Sequence, residues 1–192
     1  MHKQRFGTQD NLPTFVKNFF MSIQENTVVS LSYKLMVKSD NDLSKQVVEE
    51  TTSENLFTFL FGAGNVIPAF EANLSGLQAG DSFSFEIKAS EGYGLASNDN
   101  IAAIPIRAFV PEGEELDSEM VSPGNFLPMV DENGHQFQGL VVEVNADHVI
   151  MDFNHPLAGK NLHFSGKVEK IRNATPDELA HGHVHGEGGV HH

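Results

Sequence analysis

Three histidines at alternate positions, His181, His183 and His185, lie near the end of the chain, and His191 and His192 close it. An extended segment would put the first three on one side, and a helix would bring His181 and His185 together. Neutral imidazoles at such spacing suit Ni²⁺, Cu²⁺ or Zn²⁺. The chain has no cysteine, so disulfides, thiolate nucleophiles and Cys-based zinc sites are excluded. Any metal site must therefore use His, Asp or Glu. The other residues with chemical character are apolar or aromatic, two of them with phenolic tips: Tyr33, Phe57, Val66, Ile67, Phe70, Tyr93 and Phe164. By periodicity alone these are core residues. The sequence contains no nucleophile elbow, phosphate-binding glycine loop or H-E-x-x-H pair, so it offers no machinery for covalent or zinc-peptidase chemistry.

The elements that must position these side chains are mostly strands. Val29, Leu31, Tyr33, Leu35 and Val37 alternate with polar residues, the period of a half-buried strand. Ser39 to Asp42 break it with turn-forming residues, Val47-Val48 begin a second extended piece, and Phe57 to Phe61 form a third. Pro68 opens a helix with Phe70, Leu74 and Leu77 on one face. Phe83, Phe85, Ile87 and Ala89 alternate again. Between Leu95 and Phe153 prolines punctuate the chain, and Asp131 to Gly134 and Asn145 to Asp147 supply hairpin turns, which predicts a small all-β unit. Leu162, Phe164 and Val168 resume a strand with a bulge at Gly166. Thr175-Pro176-Asp177-Glu178 is a capping box for a short closing helix. One short helix against antiparallel strands is an α+β plan.

Bulk properties narrow the function. The chain has 192 residues, 15 of them Phe, with 26 acidic against 12 basic side chains and a formal net charge of −14. That charge, with no basic stripe, argues against nucleic acid and anionic membranes as partners. Residues 1–24 read as a disordered leader, with interrupted apolar positions that match neither a secretory segment nor a membrane span. A cytoplasmic monomer is expected.

Several strings are similar to SlyD-like members of the FKBP family. They are Val29 to Tyr33, Val48 to Thr51, Phe61 to Glu71, Gly76 to Asp81 and Glu91 to Gly94; most specific are Asn154 to Leu162 and Glu178 to Gly186. The resemblance covers the chain from about Glu25 to His185. It implies a half-open antiparallel sheet wrapped on a short helix, built from 25–95 and 154–174, with an insert-in-flap domain over 96–153 and a metal-binding tail over 175–192. It also implies peptidyl-prolyl cis-trans isomerase activity in an apolar groove. Phe70, where many members carry Trp, would be its floor, and Tyr33, Val48, Phe57, Val66, Ile67, Tyr93 and Phe164 its walls. Glu49 stands where the family usually has Asp, and its longer side chain alters the reach of any hydrogen bond to Tyr33 or a ligand.

The resemblance further assigns Val66, Phe70 and Phe164 to the proline ring, the Ile67 N–H to the substrate carbonyl and the Tyr93 hydroxyl to peptide orientation. No cofactor is required for isomerisation; Ni²⁺, or Zn²⁺ or Cu²⁺, would bind the tail. The implied partners are unfolded or proline-containing polypeptides and, through nickel delivery, metalloenzyme maturation proteins. Met120, Phe126, Leu127, Met129, Phe137, Met151 and Phe153 either pack the insert's own core or, as the family implies, in part form a surface for unfolded segments. A non-enzymatic nickel-handling protein on the same scaffold is the alternative reading.

Overall fold

The computed structural model describes residues 21–39, 42–110, 116–131 and 133–185, with the side chains of residues 39 and 42–45 excepted. Its longest strands carry the strongest alternation. Strand β1 (Thr27–Ser39) buries Val29, Leu31, Tyr33, Leu35 and Val37 on one face. It pairs antiparallel with β9 (Asn161–Asn173) along nearly its whole length, from Thr27↔Asn173 to Lys38↔Asn161. The other edge of β1 is shared: β2 (Asp42–Glu50) pairs with its C-terminal half, and β3 (Phe57–Leu60) with Val28 to Leu31. Strand β4 (Ser82–Ile87) flanks β9, giving a five-stranded sheet of order β2-β1-β9-β4 with β3 beside β1.

Strand β2 begins at Asp42, ahead of the apolar Val47-Val48 pair expected to start it. Ladder hydrogen bonds, here Lys38↔Lys45 and Ser39↔Asp42, need only backbone and so extend past the apolar pattern. The bulge expected at Gly166 lies instead at Glu169, since Ser30 pairs with Lys170 and Leu31 with Val168. Gly166 has another reason to be glycine. A Cβ there would strike the Ser32 carbonyl oxygen and come within 2.8 Å of Phe83 Cζ and Tyr33 Cα.

Helix α1 (Pro68–Leu74) has Pro at its first turn and presses Phe70 and Leu74 into the sheet. Leu77, expected on the same helical face, lies beyond the helix end, where its carbonyl accepts from Ile23 N–H at 2.8 Å. Ile23, within the 1–24 stretch read as a leader, is 1% exposed and part of this core. Residues 1–20 lie outside the described residues.

A second sheet, of order β5-β8-β7-β6, is built from β5 (Ile101–Pro105), β6 (Phe126–Val130), β7 (Gln136–Val144) and β8 (His148–Asp152). The expected turns join β6 to β7 and β7 to β8. This sheet has its own core of Val121, Leu127, Val141, Val149 and Met151, against which Met129 and Phe153 pack. Met120, Phe126 and Phe137 stay exposed, so the apolar set divides between core and surface. Helix α2 (Pro176–His181) follows β9, with both hydrogen bonds of the Thr175–Glu178 capping box formed.

Candidate active site

Tyr33 and Leu35 sit two apart on β1, hence on one face, and β9 brings Phe164 opposite Leu35. Phe70 of α1 meets Phe164 at 4.8 Å between ring centroids and 60°, and Tyr33 at 6.2 Å and 61°. Phe57 adds an edge-on contact to Tyr33 at 5.6 Å. Edge-to-face contacts of this kind hold rings in place beyond what burial alone contributes. The rings wall a cavity of about 220 Å³, open to solvent, that is also lined by Glu49, Tyr93 and the segment Asn65 to Ile67.

All groove residues expected from sequence line this cavity except Val48. Val48 is 46% exposed and is the extra residue of a bulge, because Leu35 pairs with Glu49 while Met36 pairs with Val47. The bulge turns Glu49 toward the cavity in its place. Two lining residues, Leu35 and Asn65, were not expected. The alternation of β1 carries a signal for Leu35, which shares the face of Tyr33. Asn65 lies in an irregular turn with no periodicity to mark it.

Glu49 shares the cavity lining with Tyr33 and acts on its hydroxyl despite the added methylene. Burial first, and then the neighbouring Glu49 carboxylate, hold the Tyr33 phenol far above its usual range. Tyr93 is shifted the same way, first by burial and then by the Glu49 charge. Both phenols are thus neutral donors at the edge of an apolar cavity. Tyr93 is 41% exposed and lies flat on His155, with centroids 3.9 Å apart and 3° between planes. His155 Nδ1 accepts from Leu157 N–H at 3.1 Å, which fixes its neutral form and ring orientation.

At the helix entrance Ile67 is non-helical, with its carbonyl accepting from Phe70 N–H at 2.8 Å. Among the described residues its own N–H has no acceptor. The loop before it is held by Glu71 Oε1, which accepts from Gly62 N–H at 2.9 Å. Gly62 and Gly64 both take positive φ, so this turn needs residues without a Cβ.

The tail folds back beside this loop. Gly182 ends α2 in the left-handed conformation, and Asn65 Nδ2 donates to its carbonyl at 2.7 Å. Val184 packs with Val28 and Leu60. Glu178, 2% exposed, accepts from Arg172 Nη2 and Nη1 at 2.6 and 2.7 Å, from Thr175 N–H and from His185 N–H. The Arg172 pairing foremost holds its carboxyl far below the usual range. The donor nitrogens of His181, His183 and His185 consequently lie within 4.8 Å of one another, on exposed side chains. Neither an extended segment nor a continuous helix achieves this; the Gly182 cap does. Three imidazoles gathered this closely fit a divalent transition metal with further coordination positions open. His191 and His192 lie outside the described residues.

A half-open antiparallel sheet on a short helix, with an aromatic cavity between them, is the plan of one family. The FKBP-type peptidyl-prolyl cis-trans isomerase family matches residues 21–117, and the chain belongs to that family. More particularly, it is SlyD-like. It is 36% identical over 170 residues to the FKBP-type peptidyl-prolyl cis-trans isomerase SlyD of Vibrio cholerae, an alignment spanning 88% of this chain and 78% of that one. The protein of the same name from Haemophilus influenzae is 34% identical over 167 residues, spanning 86% and 81%. That of Escherichia coli K12 is 34% identical over 166, spanning 86% and 79%. The chain is thus a peptidyl-prolyl isomerase, with proline-containing polypeptides as its substrate class. No helix among the described residues is long and apolar enough to cross a membrane.

Proposed function

We propose that the aromatic cavity is the site where prolyl bonds rotate, and that the protein uses it to accelerate proline-limited folding in the cytoplasm. Rotation about a prolyl bond is slow because amide resonance must be lost, at a barrier of roughly 18–20 kcal/mol. The twisted amide is less polar than the planar one, so a dry cavity disfavours the ground state more than the transition state. Phe70, Phe164 and Val66 hold the proline ring. The Ile67 N–H, which has no acceptor among the described residues, receives the carbonyl before the proline, and the neutral Tyr93 hydroxyl orients the peptide. No atom or electron changes molecule, so the rotation takes no cofactor. An acceleration of about 10³-fold requires ~4 kcal/mol, within the reach of positioning and desolvation.

The observation that carries this reading is the convergence of Tyr33, Phe70 and Phe164 on one open cavity also lined by Ile67, whose N–H has no acceptor among the described residues. Residues 96–153 are, in this reading, an inserted unit that holds non-native chains. A mostly apolar cavity of about 520 Å³ between Phe109, Met120, Leu127 and Val130 supports it. Holding a chain there raises its effective concentration at the aromatic cavity. The histidine cluster of the tail binds Ni²⁺, Zn²⁺ or Cu²⁺, and nickel passed on to maturing metalloenzymes is the use we assign it.

A proline-limited refolding assay tests the central claim. Phe164→Ala and Tyr93→Ala should each reduce catalysis of refolding by about tenfold or more, equivalent to ~1.4 kcal/mol or more of lost transition-state stabilisation. Wild-type rates from both variants would remove the cavity from the mechanism. Deleting 96–153 should lower activity on unfolded protein far more than on a short peptide.

A further inference from the structure

The chain crosses between its two sheets twice, outward through residues 88–100 and back through 153–160. One side chain joins the two crossings. Asn154 Oδ1 accepts from Ser97 N–H and from Asn100 Nδ2, each at 3.0 Å. Its Nδ2 donates to the Ser97 carbonyl at 3.0 Å and to Asp152 Oδ1 at 2.7 Å. The amide therefore grips both backbone groups of Ser97, as a neighbouring strand would, while tying itself to the end of β8. Asp152 Oδ1 also accepts from Asn154 N–H at 2.8 Å, and Phe153 N–H donates to the Asn100 carbonyl at 2.9 Å. The β5–β8 ladder begins immediately beyond, at Ile101↔Asp152. Toward the aromatic cavity the crossings stay joined, by the Tyr93–His155 stack and by Gly159 N–H donating to the Gly94 carbonyl at 2.8 Å.

This arrangement needs a side chain with two acceptor positions and two donor hydrogens on one rigid plane, which only an amide of this length supplies. We propose that Asn154 is a positioning residue. Its amide locks the crossing of the two connectors, and so holds the apolar cavity of the second sheet at a set reach from the aromatic cavity, where one unfolded polypeptide can engage both. The inference rests on the two-site reading above. It adds that cooperation between the sites depends on a fixed junction rather than on tethering alone, since effective concentration falls when the linkage allows many geometries. Asn154 touches neither cavity, so a short peptide held only by the aromatic cavity should not sense its loss.

The test uses the full chain with Asn154→Ala and Asn154→Asp. The aspartate keeps the shape but sets a carboxylate against Asp152 and the Ser97 carbonyl. Isomerisation of a proline tetrapeptide and proline-limited refolding of a disulfide-free unfolded protein are measured side by side. Tetrapeptide kcat/KM should stay within about twofold of wild type, while kcat/KM for the protein substrate falls about tenfold, chiefly through KM. ¹⁵N relaxation gives a readout independent of activity: amides of β7 should tumble faster relative to those of β9 in Asn154→Asp than in wild type. Asn100→Ala, which removes a single bond to the amide, should show a smaller change of the same kind and serves if the aspartate variant does not fold. Unchanged relaxation and an unchanged protein-to-peptide ratio would overturn the proposal, as would equal losses on both substrates. Absence of tetrapeptide turnover by the wild type would count instead against the aromatic cavity as the prolyl site.

Discussion

Glu49 is the residue whose chemistry departs most from the apolar surroundings it serves. Its carboxylate raises both phenols at the cavity. The shift at Tyr93 is led by burial, with Glu49 second, so removing the charge should relieve only part of it. Glu49→Gln should lower the Tyr93 pKa without returning it to the usual phenol value, checked by ultraviolet titration of the two tyrosines. A Tyr93 titration indifferent to the substitution would mean that the carboxylate does not face it. Sequence identified Glu49 by its place in a motif. It could not show that a bulge at Val48 is what turns Glu49 toward the cavity, because a bulge depends on the strand's partner as well as on its own residues.

Among the elements, β9 bears the most. It pairs with β1 on one side and β4 on the other, and it carries Phe164 into the cavity. Gly166 lets β1 approach so closely that a methyl group would meet the Ser32 carbonyl, Tyr33 and Phe83 together. Gly166→Ala should therefore destabilise the protein by about 3 kcal/mol through overpacking, read as a lower urea midpoint. A change under about 0.5 kcal/mol would show that the strands can separate without cost. Alternation made β1, β4 and β9 legible in advance, while the early start of β2 and the place of the bulge were not. Side-chain periodicity reports which face is buried, and it is silent on how far backbone pairing runs.

At the scale of the whole molecule, the tail is bound to the rest through Glu178, which joins Arg172, Thr175 and His185 from a 2% exposed position. A carboxyl held below its usual range contributes stability that is present above its unfolded pKa of about 4.3 and is lost as pH falls through the folded value. The tail should thus stay docked well into the acid side of the ordinary carboxylate range. Glu178→Gln should cost about 2 kcal/mol at neutral pH, flatten the acid limb of the stability profile and weaken Ni²⁺ binding by about tenfold, since His185 loses its anchor. Denaturation across pH and nickel titration by calorimetry check the two effects, and unchanged nickel affinity would mean that the histidines gather without docking. What the amino-acid order determined by itself was whatever repeats locally: the strands and their buried faces, the proline-led helix, the capping box and the histidine spacing. Only the tertiary structure decided that Asn65 both lines the cavity and holds Gly182 of the tail, that Val48 turns outward, and that Asn154 fastens Ser97 across the junction. These contacts join residues far apart in the chain, and such a pairing depends on how whole sheets and turns pack, which no short window of sequence encodes.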